Sequence, residues 1–232
     1  MKATLLLVPG ILNDERLWDA VAPQLESLAD VRRAPAPSQD SIAAMADAAW
    51  RLLDDLPADA PVVLGGFSLG GYVAIEMLSR PARAVRGVAL MSTSGRPESP
   101  EAHAAREKSI AAMRKDFSRV LDGILQFGTH EATRGLLLEL KDMMLRVGAE
   151  TAIRQNRAAQ GRGDHRAMLA KLDLPVTVVC GRQDRITPPA LSEELAALVP
   201  GARLQWVDGC GHMLPAERPD ALADALRPLL IR

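Results

Sequence analysis

The chain has 232 residues, with 28 basic and 29 acidic side chains and a formal net charge of −1. This length predicts one domain, or one domain with an insertion, and the balanced charge argues against binding to nucleic acid or to an anionic membrane surface. The two cysteines are too few for a disulfide framework, and the apolar N-terminal run ends at Pro9-Gly10, short of signal-peptide or membrane-spanning length. We therefore expect a cytoplasmic protein without a membrane span.

Six short apolar runs, most of them continuous, predict strands of a parallel sheet that is covered on both faces. The expected strands are 4–8, about 30–34, 62–67, 87–91, 176–180 and 203–207. Charges in the second run favour an edge strand. Helices are expected in the gaps, at about 14–28, 41–56, 69–80, 190–198 and 217–230. This alternation predicts a doubly wound α/β fold with a mostly parallel, six-stranded sheet.

A serine follows the third predicted strand, in Gly66-Phe67-Ser68-Leu69-Gly70. G-x-S-x-G is the pattern of a nucleophile elbow, a sharp turn that carries a serine from a strand end to a helix start. The turn crowds its backbone, so small residues are needed two positions before and after the serine. The pattern alone is weak, because a chain of this length contains it by chance about one time in ten. The alternative is a glycine-rich turn with an idle serine.

No strand pattern occurs between Gly95 and about Leu172. Apolar residues recur there at helical spacing, so residues 97–170 are expected to form an inserted helical cap, or lid, on a core of residues 1–96 and 171–232. Met113, Met143 and Met144 have adaptable side chains that can line an acyl site, although packing is the commoner role.

Near the end of this insertion Arg154, Arg157, Arg162 and Arg166 form a basic cluster, in which Arg154 and Arg157 share a helix face. A solvated surface with local ion pairs is the commoner explanation for such a cluster. The alternative is an anchor for a substrate carboxylate, which arginine binds through two parallel hydrogen bonds.

Two later strand ends also carry polar residues. Asp184 follows the strand at 176–180, and His212 follows the strand at 203–207 in a glycine-flanked loop. Each could be an ordinary turn or cap residue, but functional groups in open parallel sheets gather at the carboxyl ends of strands. Together with Ser68, in the chain order Ser, Asp, His, they predict a catalytic triad. Asp208 is the rival acid, and the serine leaves no need for Cys210 as a nucleophile.

With these motifs, and with Val8-Pro9-Gly10-Ile11-Leu12, the chain resembles the α/β-hydrolase superfamily, specifically its small, helical-capped, esterase-like members. The resemblance covers nearly the whole sequence and implies that the amides of Ile11 and Leu69 form an oxyanion hole. Leu12 is a second candidate donor and a candidate pocket residue. Many relatives have His-Gly where this chain has Pro9-Gly10, which removes a side chain that can brace the loop. The loop follows the first strand, so the two antiparallel N-terminal strands of larger relatives are expected to be absent.

These observations favour a serine hydrolase that cleaves a carboxylic ester, lactones included, of a small or medium acyl substrate through an acyl-enzyme. Neither a metal nor an organic cofactor is expected. One alternative is a carbon–carbon bond hydrolase of the meta-cleavage type, which an arginine anchor would favour. Another is a weakly hydrolytic ligand sensor on the same scaffold.

Overall fold

A computed structural model describes residues 2–231. Its centre is one six-stranded sheet with the strand order 2-1-3-4-5-6, in which every neighbouring pair is parallel. The strands are β1 Ala3–Val8, β2 Ala29–Arg33, β3 Val62–Phe67, β4 Val85–Met91, β5 Val176–Gly181 and β6 Arg203–Val207. The predicted sheet is confirmed, and the charged strand β2 lies at an edge as predicted.

Ten α-helices occur in the described residues. They are α1 Ile42–Arg51, α2 Leu69–Ser79, α3 Pro100–Lys115, α4 Phe117–Gly128, α5 Arg134–Val147, α6 Ala149–Gln160, α7 Arg166–Leu169, α8 Pro189–Leu198, α9 Leu214–Glu217 and α10 Pro219–Leu230. Helix α1 is shorter than predicted and ends at Arg51, whereas the predicted C-terminal helix is present as α10 and is preceded by the short, unpredicted helix α9. Helix α10 begins at Pro219, which suits the first turn of a helix because it has no N–H to donate.

The predicted helix at 14–28 is wrong. The segment contains two short 3-10 helices, Glu15–Trp18 and Ala22–Gln24. Pro23 explains the difference, because a proline inside an α-helix removes one backbone hydrogen bond and clashes with the preceding turn. The apolar residues of this segment, Trp18 among them, are nevertheless buried in the same cluster as the sheet residues Leu5 and Leu7.

Packing on the two faces of the sheet follows from the alternation of side chains along each strand. Leu5 and Leu7 of β1 belong to one apolar cluster, which includes residues of α3–α6 and α10. Leu6 and Val8 belong to a second cluster, on the face covered by α1, α2 and α8. Within residues 2–231, no helix is both long and apolar enough to span a membrane.

Helices α3–α7 follow one another between β4 and β5 without an intervening strand. Met113, Met143 and Met144 of this segment are buried in the same cluster as the sheet residues Leu5 and Leu7. The helices therefore pack on the core rather than around a centre of their own. The division into a core and a cap at 97–170 stays a prediction.

Candidate active site

Ser68 lies in a strained turn between β3 and α2. Its φ is +53°, in a region that residues other than glycine rarely adopt. A side chain at Gly66 would meet the backbone of Gly70, and one at Gly70 would meet the carbonyl group of Val8. The two glycines therefore have the role that the sequence predicted, since only they permit this close approach of the backbone.

Three side chains form a line of hydrogen bonds at the carboxyl edge of the sheet. Ser68 Oγ lies 3.1 Å from His212 Nε2, and His212 Nδ1 lies 2.9 Å from Asp184 Oδ2. Asp184 and His212 are 2% and 5% exposed, so bulk water does not compete for these bonds. The three predicted residues thus come together from three separate strand ends.

Asp208 lies outside this line. Its carboxylate is exposed and accepts a hydrogen bond from Arg182 Nε at 2.8 Å. The rival acid is therefore a surface residue.

The carboxylate of Asp184 is held by more than the imidazole. Its Oδ1 accepts hydrogen bonds from the amides of Ile186 and Thr187, both at 2.9 Å, and its Oδ2 accepts one from Thr187 Oγ1 at 2.7 Å. Burial raises the pKa of Asp184, but the charge and hydrogen bond of His212, with the bonds from Thr187, outweigh it and leave the pKa below its usual range. The ionised carboxylate therefore stabilises the fold above the unfolded-state pKa of about 4, and this stabilisation is lost as the pH falls through the lower folded-state value.

The loop that carries His212 is tied to helix α4 and to Glu217. The His212 amide donates to Gly128 O at 2.6 Å. Glu217 Oε2 accepts from the amides of Gly211 and His130, at 3.0 and 2.7 Å. Neither Glu217 nor Thr187 was predicted to support the site.

The loop after β1 lies beside Ser68 and the first residues of α2. Leu69 is the first residue of α2, and the first amides of a helix have no acceptor within it. The amide of Leu12 is already used, since it donates to Gln155 Oε1 at 2.9 Å. In this arrangement Leu12 does not serve as the second oxyanion donor, which leaves Ile11 as the candidate.

Gln155 of α6 braces the loop after β1 through its bond to the Leu12 amide. Its side chain is fully buried, and its Nε2 donates to Pro37 O at 2.8 Å. Leu12 has a φ of +65°, so the loop that this glutamine holds is itself strained. No local pattern in the sequence points to Gln155, because it lies 143 positions from Leu12.

A cavity of about 200 Å³ adjoins Ser68 and His212. Its walls are mainly apolar, and helices α3–α6 supply one of them. Of the predicted pocket residues, Leu12, Met113 and Met144 line it, as does the predicted oxyanion donor Ile11.

Three other predicted pocket residues lie elsewhere. Met143 lines a separate surface groove near Leu140, and Arg154 and Arg157 are exposed on α6. An arginine that the sequence did not single out, Arg106 of α3, lines the cavity instead.

The cysteines are buried, free thiols. Burial raises the pKa of Cys180 to about 11 and that of Cys210 further still. Neither forms an appreciable fraction of thiolate at neutral pH, which is consistent with a packing role.

Sequence comparison identifies the family. The sequence model of the Alpha/beta hydrolase family matches residues 5–225. The chain belongs to this family.

Individual relatives of this alpha/beta hydrolase carry esterase names. A pimeloyl-[acyl-carrier protein] methyl ester esterase of Neisseria meningitidis serogroup C is 31% identical, over 95% of this chain and 91% of that protein. A protein of the same name from Aromatoleum aromaticum is 29% identical, over 94% of each chain. The structure of a thermophilic esterase from Thermogutta terrifontis, with malate bound, is 27% identical and has a TM-score of 0.86 over 98% of this chain and 89% of its own.

Proposed function

We propose that this alpha/beta hydrolase is a carboxylic ester hydrolase that acts on small or medium acyl esters through an acyl-enzyme. The observation that carries the proposal is the hydrogen-bonded line from Ser68 through His212 to Asp184 beside an apolar cavity. Relatives named as methyl ester esterases support the same reaction class. Methyl esters are accordingly the first substrates to test.

In the proposed reaction, Ser68 Oγ attacks the ester carbonyl carbon while His212 Nε2 takes the hydroxyl proton. The carbon–oxygen bond then breaks, and His212 returns the proton to the leaving alkoxide. Asp184 keeps the imidazole in the tautomer that presents a free Nε2, and stabilises its cation. A water molecule activated by His212 cleaves the acyl-enzyme and regenerates the serine.

In the proposed mechanism, the amides of Ile11 and Leu69 donate hydrogen bonds to the negative oxygen of each tetrahedral intermediate. The Leu69 amide lies at the N-terminus of α2, where the helix dipole also favours negative charge. Each such donor contributes about 3 kcal/mol to the stability of the transition state.

Arg154 and Arg157 give no support to the carbon–carbon hydrolase alternative, because both are exposed and the cavity lining does not include them. The methyl ester esterase names of the relatives favour ester cleavage over carbon–carbon cleavage. A ligand sensor would bind esters with little turnover, so an assay of ester hydrolysis separates it from the proposed enzyme.

We expect the purified protein to hydrolyse short p-nitrophenyl esters and aliphatic methyl esters, with a rate that EDTA does not change. The physical reason is that serine, histidine and aspartate supply the nucleophile and all proton transfers. A fluorophosphonate should stop the reaction, and intact-mass analysis with peptide mapping should locate a single adduct on Ser68. Hydrolysis that continues with Ser68 unmodified would contradict the assigned nucleophile, and a folded protein without turnover would favour the sensor.

Gln155→Leu tests whether Gln155 positions the loop after β1, which carries the proposed oxyanion donor Ile11. The change keeps the size of the side chain but removes its bonds to the Leu12 amide and to Pro37 O. Because the oxyanion exists only after attack, we expect kcat to fall about tenfold or more while KM changes little.

The matched control is Gln160→Leu on the same helix, where the amide bonds to exposed Glu107. The control should keep the wild-type kcat. If both variants lose kcat equally, or if Gln155→Leu changes KM alone, Gln155 does not position the loop.

A further inference from the structure

The cavity beside Ser68 has one strongly polar wall, at Arg106 of α3. Arg106 Nε donates to Glu98 Oε1 at 2.8 Å, and one Nη1 hydrogen goes to Asn156 Oδ1 at 2.9 Å. A weaker contact of 3.4 Å joins Nη2 to Glu98 Oε2. These bonds use three of the five N–H groups of the guanidinium, so two are left for a further acceptor.

Charge around Arg106 is unbalanced. The side chain of Glu98 is 3% exposed and also forms an ion pair with Arg162. Within residues 2–231 neither arginine has another acidic partner, so two guanidinium groups share one carboxylate. The side chains of Arg106 and Arg162 are only 20% and 11% exposed, so water solvates their charges poorly, and this burial lowers the pKa of both. An uncompensated buried charge is costly, and an anion beside it would relieve that cost.

Arg162 is less able than Arg106 to bind such an anion. It lies over the Tyr72 ring at 4.5 Å, and its remaining bonds go to the carbonyl groups of Arg96 and Ala159. It does not line the cavity, whereas Arg106 does. The excess positive charge is therefore presented to the cavity by Arg106.

A second donor faces the same space. Asn13 lines the cavity, is 1% exposed, and has an Nδ2 group without a hydrogen-bond partner in the described part of the chain. Buried donors are rarely left unpaired, so this group also indicates a missing acceptor.

We propose that Arg106 and Asn13 form a subsite for a carboxylate carried by the acyl portion of the ester substrate. The preferred substrates are then half-esters of dicarboxylic acids, with the ester at Ser68 and the free carboxylate at Arg106. A planar carboxylate matches the two remaining N–H groups, and its single negative charge equals the excess charge of the Arg106–Glu98–Arg162 cluster. This inference rests on the proposed ester hydrolysis.

A purely structural role for Arg106 makes a different prediction. Arg106 links α3 to Asn156 of α6 and to Glu98, so it can hold these segments together. If this is its only role, substitution of Arg106 should lower stability and affect the hydrolysis of all esters alike. If Arg106 belongs to a carboxylate subsite, substitution should affect anionic esters selectively.

The experiment compares monomethyl adipate, which is anionic, with methyl hexanoate, a neutral ester with the same number of acyl carbons. Methanol release is measured for the wild type, Arg106→Met, Arg106→Lys and the control Arg157→Met. Arg157 is exposed on α6 and does not line the cavity. Binding of adipate is measured separately by calorimetry.

We expect Arg106→Met to raise KM for monomethyl adipate about tenfold or more and to change KM for methyl hexanoate less than about twofold, because a hydrogen bond to a charged group is lost only with the anion. Arg106→Lys should recover part of the loss, and Arg157→Met should behave as the wild type. Equal losses on both esters, or a wild type that shows no preference for the anionic ester, would overturn the subsite.

Binding separates this inference from the proposed function. If the wild type binds adipate and Arg106→Met does not, the subsite is supported even when no ester is hydrolysed, and only the proposed function fails. If adipate binds neither protein, or binds both equally, the subsite is wrong whatever the esterase activity. Should Arg106→Met fail to fold, the comparison of the two esters and of adipate with hexanoate on the wild type decides the question.

Discussion

Ser68→Ala is expected to abolish ester hydrolysis while leaving the fold intact. The substitution removes the only protein atom that bonds to the acyl carbon in the proposed mechanism, and in a comparable triad such a change costs a factor of about a million in kcat. The fold should tolerate alanine, because serine already carries a Cβ at this positive φ and its Oγ bonds only to His212 Nε2 within the described residues. The measurement is kcat on p-nitrophenyl esters together with the melting temperature.

Ser79→Ala is the control, since Ser79 ends the same helix and its hydroxyl bonds to Glu76 O. The control should retain the wild-type rate, and fluorophosphonate should label it but not Ser68→Ala. A Ser68→Ala protein that is folded and hydrolyses esters at a rate near that of the wild type would refute the nucleophile assignment.

Asp184→Asn is expected to reduce kcat by up to about ten-thousandfold. An asparagine amide can donate to His212 Nδ1, which favours the tautomer with the proton on Nε2, and that tautomer cannot accept the proton of Ser68. The backbone amides of Ile186 and Thr187 still donate to Oδ1, which places the new Nδ2 where Asp184 Oδ2 faces His212. Loss of activity without loss of folding is therefore the expected result, measured by kcat and by circular dichroism.

Asp208→Asn is the matched control, because Asp208 is an exposed aspartate whose carboxylate bonds only to Arg182 among the described residues. Its kcat should stay within about twofold of the wild type. If Asp208→Asn were inactive and Asp184→Asn active, the acid would have been assigned to the wrong residue.

Local sequence patterns determined the sheet and the three chemical groups. Strands buried on both faces leave continuous apolar runs, and the crowded turn at Ser68 requires Gly66 and Gly70. Because parallel strands end at a common edge, the order of Ser68, Asp184 and His212 along the chain was enough to predict that they would meet. The prediction of a helix at 14–28 was wrong. It followed from the alternation of strands and helices along the chain and did not take Pro23 into account.

Contacts between residues that lie far apart in the chain were determined only by the tertiary structure. Gln155 reaches the Leu12 amide across 143 positions, and no local pattern distinguishes it from any other helical glutamine. The arginine at the cavity shows the same limit. Arg154, Arg157 and Arg106 all lie on amphipathic helices, and a sequence fixes which helix faces are apolar but not which helix crosses the site. That choice depends on how α3–α6 pack on the sheet and on one another, which places Arg106 at the cavity and leaves Arg154 and Arg157 in solvent.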